Sequence, residues 1–193
     1  MIHALIFDLD GTLVNLNLNA EKLVSEIQDL TQVKIESGPL LESIINQTKE
    51  NTILRQRIWD IIDRIEKENI ANLKIFPETI SVLNEVKKRN YNLALVTLQG
   101  KKVATLILRK LSLSNFFNPI ITRENAYLRN GQLALALKGL NLKKDEVLFV
   151  GDRLNDLKES QKVGIKCILM RRKFNPLKGE IVIKSLSELF QYI

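Results

Sequence analysis

The chain has 193 residues, of which 45% are hydrophobic and 26% charged, a balance that excludes a wholly disordered, collagen-like or low-complexity chain. A single cysteine, Cys167, excludes an internal disulfide and a cysteine-rich zinc site, and suits a reducing compartment. The net charge of +7 is unevenly spread: residues 15–76 hold 8 basic and 10 acidic side chains, residues 77–193 hold 21 and 10. The excess, densest at Arg171-Arg172-Lys173, is expected to form a solvated basic surface. No Arg-rich recognition helix or aromatic-interleaved basic stripe points to nucleic acid, so no nucleic-acid partner is expected.

The apolar run at 2–7 ends at Asp8 and a glycine-containing turn, which predicts a strand feeding a polar loop. His3 is expected to be a half-buried strand residue. No basic leader precedes a cleavage site, so no signal peptide is expected. No apolar stretch reaches the roughly 18 residues of a membrane span, and a cytoplasmic protein without membrane contact is expected. Residues 15–76 read as helix after helix with no convincing strand. The candidates are 21–33, 39–49 and 52–68, with Gly38-Pro39 punctuating the first pair. Trp59 and Phe76 are expected to be packing residues.

Pro77 suits the first turn of a helix over 78–90, whose apolar positions are Ile80, Leu83 and Val86. A β-like run follows at 93–96 and a helix at 101–111. Gly100-Lys101-Lys102 lacks the upstream glycine of a phosphate-binding P-loop. A weaker strand at 119–121 precedes a helix at 132–140. Strands at 147–150 and 164–169 flank a helix at 153–163, and Cys167 falls in the second strand as a core residue. A strand at 181–183 leads to Ser185-Leu186-Ser187-Glu188, a capping box that opens a terminal helix. Apolar strands alternating with amphipathic helices predict an α/β fold with a parallel sheet, interrupted after its first strand by a helical insertion. The expected division is an α/β core from residues 1–14 and 77–193 and a helical unit from 15–76.

Ligands of such sheets bind beyond the carboxyl ends of the strands. Asp8 and Asp10 follow the first strand, Thr97 the second, and Gly151, Asp152 and Asp156 the run at 147–150. Carboxylates brought together repel unless a cation or a proton intervenes. An oxygen-rich set of this kind suits Mg²⁺.

Asp8-Leu9-Asp10-Gly11-Thr12-Leu13 resembles the first motif of the haloacid dehalogenase-like superfamily. Thr97 resembles the second, and Gly151-Asp152-Arg153-Leu154-Asn155-Asp156 the fourth, in matching order and spacing. The resemblance implies a Rossmann-like parallel sheet, with a C1-type helical cap over residues 15–76, as in phosphoglycolate phosphatase-like members. Carried over residue by residue, it makes Asp8 the nucleophile that forms an aspartyl-phosphate and Asp10 the general acid/base. Thr97 would bind a phosphoryl oxygen. Asp8, Asp10 (through its backbone carbonyl) and Asp152 would hold Mg²⁺, supported by Asp156. An Asp at position 10 points to phosphatase or sugar-phosphate mutase chemistry, since the superfamily's ATPases carry Thr there.

Two positions depart from the pattern. The third motif is usually a Lys. Ungapped counting puts Tyr127 there, and a two-residue deletion puts Arg129 there. Arg129 is preferred for its permanent charge, with Arg123 in reserve and Lys138 too far into the helix. Leu98 stands where many relatives have a polar Asn. The implied activity is a Mg²⁺-dependent phosphatase acting on a small phosphorylated metabolite. The alternatives are a β-phosphoglucomutase-like mutase, recognised by an isomerised product, and a binding or regulatory module with little turnover. The sequence assigns neither the substrate nor the oligomeric state.

Overall fold

Ala4, Leu5, Ile6 and Phe7 are completely buried and form β1 (Ala4–Phe7), the inner strand from which the fold is organised. The structure is a computed structural model and describes residues 1–35, 39–172 and 180–193. After β1 come β2 (Val14–Asn15), three helices, α1 (Ala20–Thr31), α2 (Leu40–Gln47) and α3 (Thr52–Asn69), and β3 (Lys74–Ile75). The chain continues through α4 (Thr79–Lys88), β4 (Asn92–Val96), α5 (Lys101–Lys110), β5 (Ile120–Ile121), α6 (Arg129–Leu140) and β6 (Val147–Gly151). It ends with α7 (Leu154–Val163), β7 (Lys166–Met170), β8 (Ile181–Ile183) and a short 3₁₀ helix, Leu186–Gln191.

The expected α/β architecture with an inserted helical region is observed. A six-stranded sheet runs β5-β4-β1-β6-β7-β8, and every pairing in it is parallel. Strand alternation sends Leu5, Phe7, Leu93, Leu95, Leu148 and Val150 to one face. It sends Ala4, Ile6, Ala94, Val96, Phe149 and Cys167 to the other. Both faces are buried, as a helix-covered parallel sheet requires. Because β4 and β6 flank β1 on opposite sides, the strand order reverses at β1. That reversal opens a crevice at its carboxyl end.

Helices α1–α3 bury a separate cluster that includes Leu23, Ile27, Ile44, Ile58, Ile62 and Ile65. Among the described residues no helix is long and apolar enough to cross a membrane. The expectation that residues 15–76 hold no strand fails at both ends. Val14–Asn15 and Lys74–Ile75 pair antiparallel and bracket the helices. Two residues a side carry no period-2 signal, so this pairing is set by tertiary contact. Its anchors are the Gly11 N–H on the Val14 carbonyl (2.7 Å) and the Thr79 hydroxyl on the Leu13 carbonyl (2.8 Å).

Other elements shift by smaller amounts. Helix α6 starts at Arg129, three residues before the expected 132, because Gly131 reads as a breaker but is accommodated in its first turn. His3 is exposed just before β1, not half-buried within it, although its N–H donates to the Glu146 carbonyl at 2.8 Å. Pro39 immediately precedes α2, whereas Gly38 and Lys173 lie outside the described residues. Arg172 is not a solvated surface residue. Its Nη1 donates to the Gly11 carbonyl (3.0 Å) and its Nη2 to the Thr12 carbonyl (3.3 Å), while its guanidinium lies over the Phe76 ring. Part of the basic C-terminal excess thus pins the turn that carries the first motif.

Candidate active site

The side chains that follow β1, β4 and β6 meet at the crevice. Asp8 directly follows β1 and is buried. Asp10 lies two residues on, with the Leu16 N–H donating to its Oδ1 at 2.7 Å. Gly11, directly after Asp10, has φ +90°, and a Cβ there would stand 2.2 Å from Asp152 Oδ2. Glycine is therefore required twice over, by the backbone and by the approach of Asp152. At Gly151 a Cβ would stand 2.6 Å from Asp156 Oδ2, so the end of β6 is equally closed to a larger side chain.

Of the three third-motif candidates, only Arg129 meets Asp8. Its Nη2 donates to Asp8 Oδ1 (2.5 Å), its Nε to Asp156 Oδ1 (2.8 Å) and its Nη1 to Gln132 Oε1 (3.0 Å). Gln132 is held in turn by donating to the Thr97 carbonyl at 2.7 Å and the Ala126 carbonyl at 3.0 Å. A guanidinium presents its donors in a rigid fork, so three partners fix it completely. Tyr127 instead stacks on Trp59 of α3 with centroids 5.6 Å apart. Arg123 pairs with Asp63 of α3, donates to the Leu98 carbonyl at 3.4 Å and lies over the Trp59 ring.

Thr97 follows β4 but is fully buried, its hydroxyl donating to Gln99 Oε1. Leu98 and Gln99 reach the cavity beside it. Asp156 is the third residue of α7, with Oδ1 on Arg129 and Oδ2 accepting from the Arg153 N–H at 3.1 Å.

Buried charge dominates the electrostatics. Burial pushes the Asp8 carboxyl up to about 8; Arg129 opposes the rise, and Asp156 and Asp152 add to it. Burial raises Asp10 too, against the stabilising N–H of Leu16. Asp152 is pushed up to about 6, again by burial first, with Arg153 opposing. Burial works against the charge of Arg129, but Asp8 and Asp156 outweigh it and hold the guanidinium more firmly protonated than usual. One oxygen each from Asp8, Asp152 and Asp156 lies within 4.8 Å of the others. Asp152 Oδ1 is buried with no hydrogen-bond partner. An orphaned carboxylate oxygen among other carboxylates has the all-oxygen donor chemistry of a Mg²⁺ site.

The site opens into a cavity of about 660 Å³, floored by Asp8, Asp10 and Asp152 and roofed by residues of α1–α3 such as Leu23, Ile62 and Glu66. That is the size of a small-molecule pocket. Glu66 and Arg153 of the cavity wall, and Gln132 behind Arg129, were not among the candidates read from the sequence. Glu66 carried a signal, since it continues the apolar stripe of Ile58 and Ile62 at four-residue spacing. Gln132 lies one turn beyond Arg129, and Arg153 directly follows Asp152.

A family model described as haloacid dehalogenase-like hydrolase matches residues 5–170. The chain belongs to that family. Among its curated relatives, a phosphoglycolate phosphatase of Photorhabdus laumondii is 25% identical over 90% of this chain and 82% of that protein. The pyrophosphatase PpaX of Bacillus cereus is 27% identical over 86% of this chain and 81% of that protein. Among solved structures, a predicted phosphatase from Clostridium acetobutylicum superposes with a TM-score of 0.76 at 19% identity, covering 100% of this chain and 98% of that one. A haloacid dehalogenase-like hydrolase from Streptococcus pneumoniae gives 0.75 at 21% identity, covering 99% and 98%. At such identities the structural likeness shows the fold of this hydrolase family, and the enzymatic class rests on the sequence match.

Proposed function

We propose that this hydrolase is a Mg²⁺-dependent phosphatase that cleaves a small phosphorylated metabolite through an aspartyl-phosphate on Asp8. The observation that carries this reading is the Asp8–Arg129 pair, buried beside Asp10 and Asp152 at the floor of the cavity. Asp8 Oδ attacks phosphorus, and the bond to the leaving oxygen breaks. Covalent catalysis of this kind divides one difficult displacement into two easier ones. Asp10, raised by burial above its ordinary value, delivers a proton to the leaving oxygen and then takes one from the water that hydrolyses the phospho-enzyme. Arg129 keeps positive charge against Asp8 and the phosphoryl oxygens, and Thr97 would offer its hydroxyl in place of its bond to Gln99.

Asp8, the Asp10 carbonyl and Asp152 would hold Mg²⁺, with Asp156 orienting Arg129 and the turn after β6. When bound, the ion supplies positive charge that offsets Asp8 as a phosphate dianion approaches. Residues 15–76 would serve as the cap: Asp63 and Trp59 of α3 hold Arg123 and Tyr127 of the core, so the helices cover part of the cavity and limit its contact with bulk water. The names of the curated relatives point to phosphoglycolate and pyrophosphate as the kind of compound to try.

The test is phosphate release with Mg²⁺ from a panel of phosphorylated metabolites and an aryl phosphate. Asp8→Asn and EDTA-treated enzyme serve as controls. Turnover that disappears in both controls is expected. Turnover that survives Asp8→Asn in a contaminant-free preparation would refute the mechanism.

A further inference from the structure

Helix α3 presents Ile58, Ile62 and Glu66 on one face, and the two isoleucines are buried core residues of the cap. Glu66 interrupts this apolar stripe with a carboxyl that is only 5% exposed. Its Oε2 is buried without a hydrogen-bond partner, and the residue lines the cavity that holds Asp8 and Asp10. A buried polar atom left unpaired costs stability that a leucine at this place would not. Such a group calls for a partner that arrives from outside the protein.

The surroundings define that partner. The charges that bear on Glu66 are Arg123, Asp63, Asp10 and Arg153. Arg123 is already paired with Asp63. Asn15, Asn17, Gln99 and Glu42 add further polar groups to the cavity wall. Amides and a neutral carboxyl both donate and accept, and so does a hydroxyl. A carboxylate or a second phosphate on the leaving group would instead add negative charge beside Glu42 and Asp10.

We propose that Glu66 is a specificity-determining residue that hydrogen-bonds a hydroxyl of the leaving group. The substrate class is then a hydroxylated phosphate monoester, not an ester whose leaving group carries a carboxylate or a second phosphate. The proposal rests on the phosphatase reading and deepens it. Burial supports it by pushing the Glu66 carboxyl up to about 8, which leaves its proton available at neutral pH.

The test uses the full chain with Mg²⁺ and compares kcat/KM for five probes. These are glycerol 1-phosphate and a hexose 6-phosphate (hydroxylated), phosphoglycolate (carboxylated), pyrophosphate and an aryl phosphate. For the wild type, the better hydroxylated ester should exceed phosphoglycolate and pyrophosphate by about tenfold or more. Glu66→Leu should lower the ratio of hydroxylated to aryl ester by about tenfold, the scale of one buried hydrogen bond, and Glu66→Gln should restore most of it. A preference for phosphoglycolate or pyrophosphate overturns the proposal. So does a leucine variant that slows all esters equally, which is the mark of a purely structural role. If the leucine variant does not fold, the wild-type ranking and the glutamine ratio decide. Absence of phosphate release from every probe, the aryl ester included, overturns the phosphatase reading itself and the inference with it.

Discussion

Replacing Arg129 with Met tests whether the buried cation organises the site. The side chains of Arg129, Asp8 and Asp156 are all under 7% exposed, and the guanidinium spends one nitrogen on each carboxylate and one on Gln132. Methionine fills similar space but leaves two carboxylates facing each other. Removing one partner from a buried ion pair costs about 3–5 kcal/mol. Burial pushes Asp8 up to about 8, so at pH 7 without metal it already holds its proton much of the time and adds little to that cost. The loss at pH 7 without metal is therefore expected at the lower end, about 3 kcal/mol. Arg129→Lys keeps the charge but reaches one carboxylate instead of two, and should fall in between. Urea unfolding of the three proteins in EDTA gives the ordering. Added Mg²⁺ should recover part of the methionine deficit, because a bound cation stabilises the folded state by mass action. Phosphate release should fall at least about a hundredfold in the methionine variant, as for loss of a donor to developing charge. A methionine variant within about 0.5 kcal/mol of wild type, the scale of an inert surface change, would refute the reasoning.

The pH dependence of metal-free stability has a definite sign. Asp8 rises from 3.8 to about 8, Glu66 from 4.5 to about 8 and Asp152 from 3.8 to about 6 in the folded protein. The folded state thus keeps protons that the unfolded state releases, so stability is fullest below about pH 4 and is lost as pH rises toward 8. Thermal unfolding in EDTA should show Tm falling from pH 5 to 8, and a rise over that range would contradict it. Mg²⁺ should raise Tm more at pH 8 than at pH 5.5, since its ligands must shed those protons first. Gly11→Ala should cost about 1–2 kcal/mol from the left-handed backbone alone. It should also weaken Mg²⁺ binding through displaced Asp152, which calorimetry with the metal would detect. Arg172→Ala removes two bonds to the Gly11 and Thr12 carbonyls and the Glu78 ion pair, and should destabilise by about 1–3 kcal/mol in urea.

Much of the fold was legible because its signals are local. A fully buried strand is a short apolar run, and a residue that follows such a run lies at the sheet's carboxyl edge whatever packs around it. On that ground alone Asp8, Thr97 and Asp152 had to stand at strand ends, and the observed β1, β4 and β6 put them there. The parallel alternation and the helical insertion followed from the same periodicities.

What the sequence left open was decided by contacts between residues far apart along the chain. Charge favoured an arginine over Tyr127, but only the fold shows that Arg129 and not Arg123 reaches Asp8. Packing of α6 against the sheet brings Arg129 to Asp8 across 121 positions, while Arg123 and Tyr127 turn to Asp63 and Trp59 of α3. Arg172 likewise read as part of a basic surface until the fold laid it over the Gly11 turn, 161 positions away. Glu66 read as one charge on a helix, and only the closing of α3 over the crevice buries it opposite Asp10. Periodicity records which way a side chain faces within its own element. Which distant charge it meets, and in how little water, is determined by tertiary packing.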